Sequence, residues 1–296
     1  MNKALTVSII FKASSLNYGE GTANVSELKK FHRGNGEVYS FASRQALRYD
    51  IVRLGNQFFD WNLDVVDKSQ KVVQFKEDCT IVDSVEMDLF GYMKTKVKQG
   101  ADKRSAVVRL SHAVSLEPYR SDFEFLNNMG LATRIKENAD LATLEQHESL
   151  YTYTLTLDLG RVGIDGEIEL SNEEKANRVK QLIEITKHLS REIRGRQENL
   201  APLFIIGGMY PIANPFFLGR ISLKNFDTRI LDTAQLASVL EQSAFGKSLH
   251  ALTKVGLVGG VFANEKEITE LANTVSIEAF YQNLLHEVDN YYKVLV

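Results

Sequence analysis

The sequence predicts an α+β fold, on three observations. Residues 5–12 alternate with period two through Leu5, Val7, Ile9 and Phe11. Residues 151–159 alternate likewise, with Tyr151, Tyr153, Leu155, Leu157 and Leu159 on one face and Thr152, Thr154, Thr156 and Asp158 on the other. Residues 171–195 instead carry a helical stripe of Val179, Leu182, Ile183, Thr186, Leu189 and Ile193.

The elements follow in order. After the first strand comes a polar, glycine-rich loop, 13–36, containing SSLNYGEG and RGNG. Ser43 stands where an N-cap belongs, and Ala46, Leu47, Ile51 and Leu54 have helical spacing, giving a helix to residue 53. Arg44 and Arg48 lie four apart and share one face of it. Residues 60–104 hold no sustained period. Residues 107–114 read as a strand, with Val108, Leu110 and His112 alternating against Val107, Arg109 and Ser111. Residues 115–147 are again irregular. Ser171 and Glu174 form a capping box for the helix that Gly195 ends. Residues 203–206 and 216–223 read as short strands, and 276–292 as an amphipathic helix through Ile277, Phe280, Tyr281, Leu284, Leu285 and Val288.

Strand, helix, strand, strand, helix, strand is the order of a ferredoxin-like, or RNA-recognition-motif-like, core. The two irregular stretches exceed what a compact version needs and read as insertions. Neither an internal repeat nor a low-complexity linker divides the chain. One decorated domain, 1–296, is expected.

With 296 residues, 44% hydrophobic and 25% charged, the chain has the composition of a soluble globular protein. Its single cysteine, Cys79, excludes a disulfide framework and a cysteine-rich zinc site within one chain, and fits the cytoplasm. The opening alternation is a strand pattern and not a signal peptide. The uncharged run 199–219 is broken by Pro202, Pro211, Pro215 and Gly207-Gly208, which argues for buried strands and a turn over a membrane span. The net charge of −3 is an average over blocks. Lys29, Lys30, Arg33, Arg44, Arg48 and Arg53 cluster in 27–53. Lys94, Lys96, Lys98, Lys103, Arg104 and Arg109 cluster in 94–109, and 178–196 is similarly basic. The acids collect in 60–88 and 265–289. Such blocks build one cationic and one anionic face, or are solvated surfaces clustered only in sequence.

Catalytic motifs fail one by one. Gly246-Lys247-Ser248 ends like a phosphate loop, but Glu241 holds the required earlier glycine position. Gly34-Asn35-Gly36 meets Tyr39 where a dinucleotide fingerprint needs its third glycine. His147-Glu148 meets Tyr151 where a zincin needs its second histidine, and no serine sits in a GxSxG elbow. His112 reads as a hydrogen-bonded structural histidine or as a catalytic one. Asp83, Glu86 and Asp88 read as a solvated loop, or as part of a metal site if completed from elsewhere. No catalytic residue, metal or cofactor is expected. Binding signals are stronger. RGNGEVYSFASRQALRYD sets arginines and hydrogen-bonding side chains around a helix N-terminus, which suits a phosphate or is an amphipathic helix with exposed arginines.

Five segments resemble the backbone subunit of type I CRISPR Cascade complexes, within the RAMP superfamily: VSIIFKASSLNYGEGTANVSELKKF, GNGEVYSFASRQALRYDI, RLSHAVSLEPYRSDFEF, YTYTLTLDLGRVG and GGMYPIANPFFLGRISL. The closest branch is type I-B, DevR-like, and the resemblance runs from Leu5 to Leu223. SRQALR and SHA are its most specific parts.

The resemblance implies a hand-shaped fold: an RNA-recognition-motif-like palm (1–59, 106–112 and 150–296), fingers (60–105) and a thumb (113–149). It implies a non-enzymatic subunit that polymerises along the spacer of the crRNA through sequence-independent phosphate contacts, leaving the bases free to pair with target DNA. The implied RNA-binding residues are Lys12, Asn17, Ser43, Arg44, Gln45, Arg48 and His112. Leu116, Phe123 and Phe125 are implied as the thumb wedge, or as packing at the thumb root. Implied partners are crRNA, target DNA through the guide, copies of the chain in a helical filament, and the large, small and repeat-end cap subunits, with no membrane. Type III relatives cut RNA with a loop aspartate, and Asp83 or Asp88 sits in a comparable place, so the alternative is an RNA endonuclease acting on repeat or target RNA. A protein-interaction domain that never touches nucleic acid is the third reading.

Overall fold

The computed structural model describes residues 3–21, 23–68, 71–96 and 100–294. Lys98, counted above among the cationic residues, lies outside them. The described residues form an α+β fold framed by a nine-stranded sheet. In chain order, its strands and the helices packed on it are β1 (Ala4–Ala13), β2 (Lys30–His32), β3 (Val38–Ala42), α1 (Arg44–Phe59), β4 (Val108–Leu110), β5 (Ala113–Ser115), β6 (Ser149–Asp158), α2 (Asn172–Lys187), β7 (Phe204–Tyr210), β8 (Lys254–Leu257), β9 (Asn273–Ser276) and α3 (Ile277–Tyr292). Across the sheet they run β9-β8-β7-β1-β6-β5-β3-β2, with β4 also paired to β6. The centre is antiparallel: β1 pairs with β6 from Ala4↔Asp158 to Ala13↔Ser149, and with β7 on its other side.

The period-two pattern decides which face each side chain meets. Leu5, Val7, Ile9 and Phe11 of β1 and Tyr153, Leu155 and Leu157 of β6 point to one face. There they pack on Leu47 and Ile51 of α1, Val179 and Leu182 of α2, and Phe280 and Leu284 of α3. Each such side chain contributes about 1.5–3 kcal/mol when fully buried. The opposite face is covered in part by a second cluster, in which Ile10, Phe204 and Ile206 meet Leu236 and Leu240 of the short helix Thr233–Leu240. Three hydroxyls on that face are bonded: Thr6 Oγ1 donates to the Asn214 carbonyl, and the Ser8 and Thr154 hydroxyls lie 2.7 Å apart. Ser43, Ser171 and Ser276 cap α1, α2 and α3 by accepting the Ala46, Glu174 and Ala279 amides.

Four boundaries differ from the sequence reading. α1 runs to Phe59, closed by Asp60 at φ 54°, because Gly55 leaves room for the buried Trp61 indole against the helix. α2 ends at Lys187, not at Gly195. Ser190–Ile193 and Arg196–Asn199 form a hairpin instead, and Arg194 and Gly195, at φ 50° and 76°, make its two-residue turn. The 107–114 strand is split into β4 and β5. Finally, 216–220 is a run of turns in which Phe217 is buried, and the next strand is Leu223–Asn225. Pro211 and Pro215 lack the amides a ladder there requires.

The irregular stretches are compact hairpin units. Within 60–105 lie the helix Val85–Phe90 and the hairpin Tyr92–Lys96/Gly100–Arg104. This unit is fastened by a buried network in which the Asp88 carboxylate accepts from Arg104 Nη2 at 2.6 Å, Arg178 Nη1 at 3.0 Å and the Gly163 amide at 3.0 Å. Within 113–149 lies the hairpin Asp122–Asn127/Leu141–Gln146, tipped by the helix Met129–Ile135. Its root is held by Glu145, which accepts from the Leu28 amide at 2.8 Å and from Lys30 Nζ at 2.7 Å. Among the described residues, no helix is long and apolar enough to cross a membrane.

Candidate nucleic-acid interface

The split between β4 and β5 builds the site. β4 pairs Leu110 with Leu155, whereas β5 pairs Val114 with Thr152, so one extra residue sits on the 108–115 side. Ser111 bridges the gap, its amide donating to the Thr154 carbonyl and its hydroxyl accepting the Thr154 amide, each at 2.9 Å. A bulge of this kind re-aims a neighbouring side chain. Here it turns His112 outward, where Nδ1 accepts the Arg44 amide at 3.0 Å and the ring lies 5.1 Å from Phe41. Asn17 Oδ1 accepts the Ser43 amide at 3.0 Å. Asn17, His112 and the Ser43 cap thus take up three amides at the start of α1. Among the described residues the Gln45 amide has no protein acceptor.

His112 is held below the usual histidine range, by burial first and then by the charges of Arg44 and Lys29. The ring is therefore neutral at neutral pH. Accepting at Nδ1 places its proton on Nε2, which makes His112 a donor to an incoming group and not a base.

Beside this helix start is a cleft of about 450 Å³ lined by Arg44, Gln45, Arg48, Phe90, Val108 and Arg109, among others. The charges are unequal in availability. Arg48 is committed, with Nη2 2.6 Å from Glu86 Oε1 and its guanidinium 5.1 Å from the Phe90 ring centre. Arg44 and Arg109 are exposed, and among the described residues neither has a carboxylate partner. Two free guanidiniums, one free amide and Gln45 in one cleft suit a phosphodiester backbone, which presents charge and acceptors but no donors of its own.

The structure gathers Asn17, Ser43, Arg44, Gln45, Arg48 and His112 at this corner. Lys12 is not brought there: it ion-pairs with Glu148 at 2.7 Å and does not line the cleft. Arg48, expected as a phosphate ligand, has its charge cancelled by Glu86. The sequence reading missed Arg109, although it placed that residue in a cationic block and opposite Leu110 in the alternation; what it lacked was the bulge. The acids expected as a solvated loop or metal site are also committed. Asp88 is in its buried network, Glu86 holds Arg48, and Asp83 Oδ2 accepts the Thr80 amide at 2.8 Å.

In the 113–149 unit, Phe123 and Phe125 are 58% and 65% exposed and stand two apart on one face of their strand. Leu116, expected as a wedge residue or as packing at the thumb root, is 4% exposed and packs with Ile10 and Leu150 in the core.

A family model described as "CRISPR-associated negative auto-regulator DevR/Csa2" matches residues 5–223. A chain from the structure described as "CRISPR RNA-guided surveillance complex, pre-nicking" superposes with a TM-score of 0.61 at 10% identity, covering 96% of this chain and 100% of that one. A chain from a "CRISPR RNA-guided surveillance complex" gives 0.57 at 12% identity, covering 96% and 99%. At these identities the likeness is one of fold. No curated protein matches the chain.

Proposed function

The chain belongs to the CRISPR-associated DevR/Csa2 family, and from that premise we propose that it is the guide-RNA-binding backbone subunit of a type I-B Cascade surveillance complex. Copies polymerise along the crRNA spacer in a helical filament, hold its backbone without reading its sequence, and present the bases to target DNA. The large, small and repeat-end cap subunits are its further partners, in the cytoplasm. The observation that carries this reading is the pair of uncommitted guanidiniums, Arg44 and Arg109, in one cleft at a helix start whose other amides are already satisfied. That corner can grip phosphate but offers little for distinguishing bases.

Two further features support it. The central order β7-β1-β6-β5, antiparallel with α1 and α2 on one face, supports reading the core as an RNA-recognition-motif-like palm. The hairpin unit with Phe123 and Phe125 exposed supports a thumb that wedges between bases of a neighbouring copy's RNA. We propose no nuclease activity, since Glu86, Asp88 and His112 Nδ1 are each committed to an internal partner.

Purification from its host tests the reading. The protein should carry RNA of mixed sequence and form multimers that shorten when Arg44→Ala and Arg109→Ala are combined. A monomer that stays free of RNA in the presence of guide RNA would sink it.

A further inference from the structure

On the other side of Arg109 lies a second cavity, of about 380 Å³, between the outer face of β6 and the 211–218 loop. Arg109 and Leu110 line both cavities, so the two open onto one continuous wall. The chemistry differs between them. The first is cationic, whereas the second has a floor of Thr156 and of Thr154, whose hydroxyl is already paired with that of Ser8, and apolar walls from Leu110, Pro215 and Leu218. Thr156 is only 6% exposed, and among the described residues its hydroxyl has no partner, although it lines the cavity. The hydroxyl is open to the cavity, where an incoming polar group can bond it. Asp158, whose Oδ1 takes the Gly160 amide, adds a second carboxylate oxygen of the kind that binds ribose hydroxyls, and Arg161, whose Nη2 donates to Ser105, a second guanidinium.

We infer that this cavity is a nucleoside subsite, which takes one base and ribose of the strand whose phosphate is held at Arg109. The inference rests on the RNA-binding reading above and extends it. Its volume is at the small end of ligand sites, about 300–1,000 Å³, which suits one nucleoside and not two. Apolar walls of Leu110, Pro215 and Leu218 give a base apolar surface to bury against, and Leu218 is 49% exposed. A hydroxyl both donates and accepts, so Thr156 bonds the edge of any base without choosing among the four. A subunit that coats arbitrary spacers needs that indifference.

Full-length protein would be crosslinked by near-ultraviolet light to single-stranded RNA carrying 4-thiouridine, and the adducts mapped by mass spectrometry. Adducts on 154–158 or 213–218 are expected. Ala213→Trp fills the cavity from an exposed lining position, so the fold tolerates it. It should abolish those adducts and weaken RNA binding about tenfold, the loss of one base's apolar burial. Thr156→Val keeps the shape and removes only the hydroxyl, and should weaken binding by a smaller factor. A parallel titration with AMP separates the sources: AMP binding that Ala213→Trp blocks, without RNA adducts, would assign the cavity to a free nucleotide. The inference is overturned if Ala213→Trp leaves RNA affinity and adducts unchanged and AMP does not bind. It is equally overturned if that variant alters only the assembly mass, which would mark the cavity as a socket for a side chain of a second copy. RNA binding that still responds to Arg109→Ala would, in those cases, leave the backbone reading standing.

Discussion

Salt dependence offers the sharpest measure of the cleft, because it counts phosphate contacts directly. Each contact with single-stranded nucleic acid releases condensed counterions and adds about 0.7 to the slope of log affinity against log salt. The cleft has two uncommitted guanidiniums, Arg44 and Arg109, so it should contribute about 1.4 to that slope. Arg109→Ala should lower the slope by about 0.7, and Arg44→Ala by the same amount. Glu86→Gln should act in the opposite direction. It removes the carboxylate 2.6 Å from Arg48 and frees a third guanidinium already in the cleft. The slope should then rise by up to about 0.7, with tighter binding at low salt. Fluorescence anisotropy of a labelled single-stranded RNA, followed from about 50 to 200 mM salt, reads all three variants. Thermal melts before each titration separate a lost contact from a lost fold. An unchanged slope in Arg109→Ala, or a lower one in Glu86→Gln, would refute the assignment of charges.

Other consequences follow from buried groups. Asp88→Ala takes a carboxylate from Arg104 and Arg178, each 4% exposed at the side chain, leaving them Asp165 at 3.6 Å and Glu174 at 2.6 Å, and should cost about 1.5–3 kcal/mol in denaturant unfolding; a loss below about 1 kcal/mol would refute the network's role. His147 is buried beside Tyr119 and Tyr151, with Ser40 Oγ 2.7 Å from its Nδ1, and burial holds its pKa low against the opposing pull of the Pro118 carbonyl and Asp122. The unfolded chain therefore binds the proton first. Stability should be full above about pH 6.5 and fall as pH drops below it toward the lowered native value, and His112 adds to the same trend. Melts at several pH values should show a flatter profile in His147→Gln. Phe123→Ala with Phe125→Ala removes mostly exposed surface and should leave the melting temperature nearly unchanged while shortening RNA-bound multimers in light scattering. Gly207→Ala would set a Cβ 2.1 Å from the Thr6 carbonyl oxygen, at a φ of 155°, and should destabilise the chain by about 1–3 kcal/mol or more in a thermal melt.

Much of the frame was legible because its signals are local. Leu5 to Phe11 and Tyr151 to Leu157 alternate strictly, and both segments are central strands. Ser43, Ser171 and Ser276 each lie at a helix start, since a cap needs only its own side chain and an amide three residues on. Errors arose where one local signal serves two structures. Leu189 and Ile193 continue a helical spacing, yet Leu189 sits just beyond the helix and Ile193 in a hairpin strand, and Gly195 closes that hairpin as readily as it would end a helix. The 216–223 segment is apolar enough for a strand but follows two prolines, and its first five residues form turns.

The site followed the same division. From the residues alone came a cationic helix start at Ser43, Arg44 and Gln45, and the resemblance added Asn17 and His112 as its neighbours. Which arginines are free was beyond reach. Arg48 is neutralised by Glu86, thirty-eight residues away, and Arg109 joins Arg44 only because a bulge at Ser111 sets β4 against the start of α1. By itself the sequence determined the alternating strands, the capped helices and the family. Only the tertiary structure decided which charges face solvent and which cavities open beside them. Periodicity and capping depend on neighbours along the chain, whereas the charge a ligand meets depends on groups brought within a few ångströms from distant parts of it.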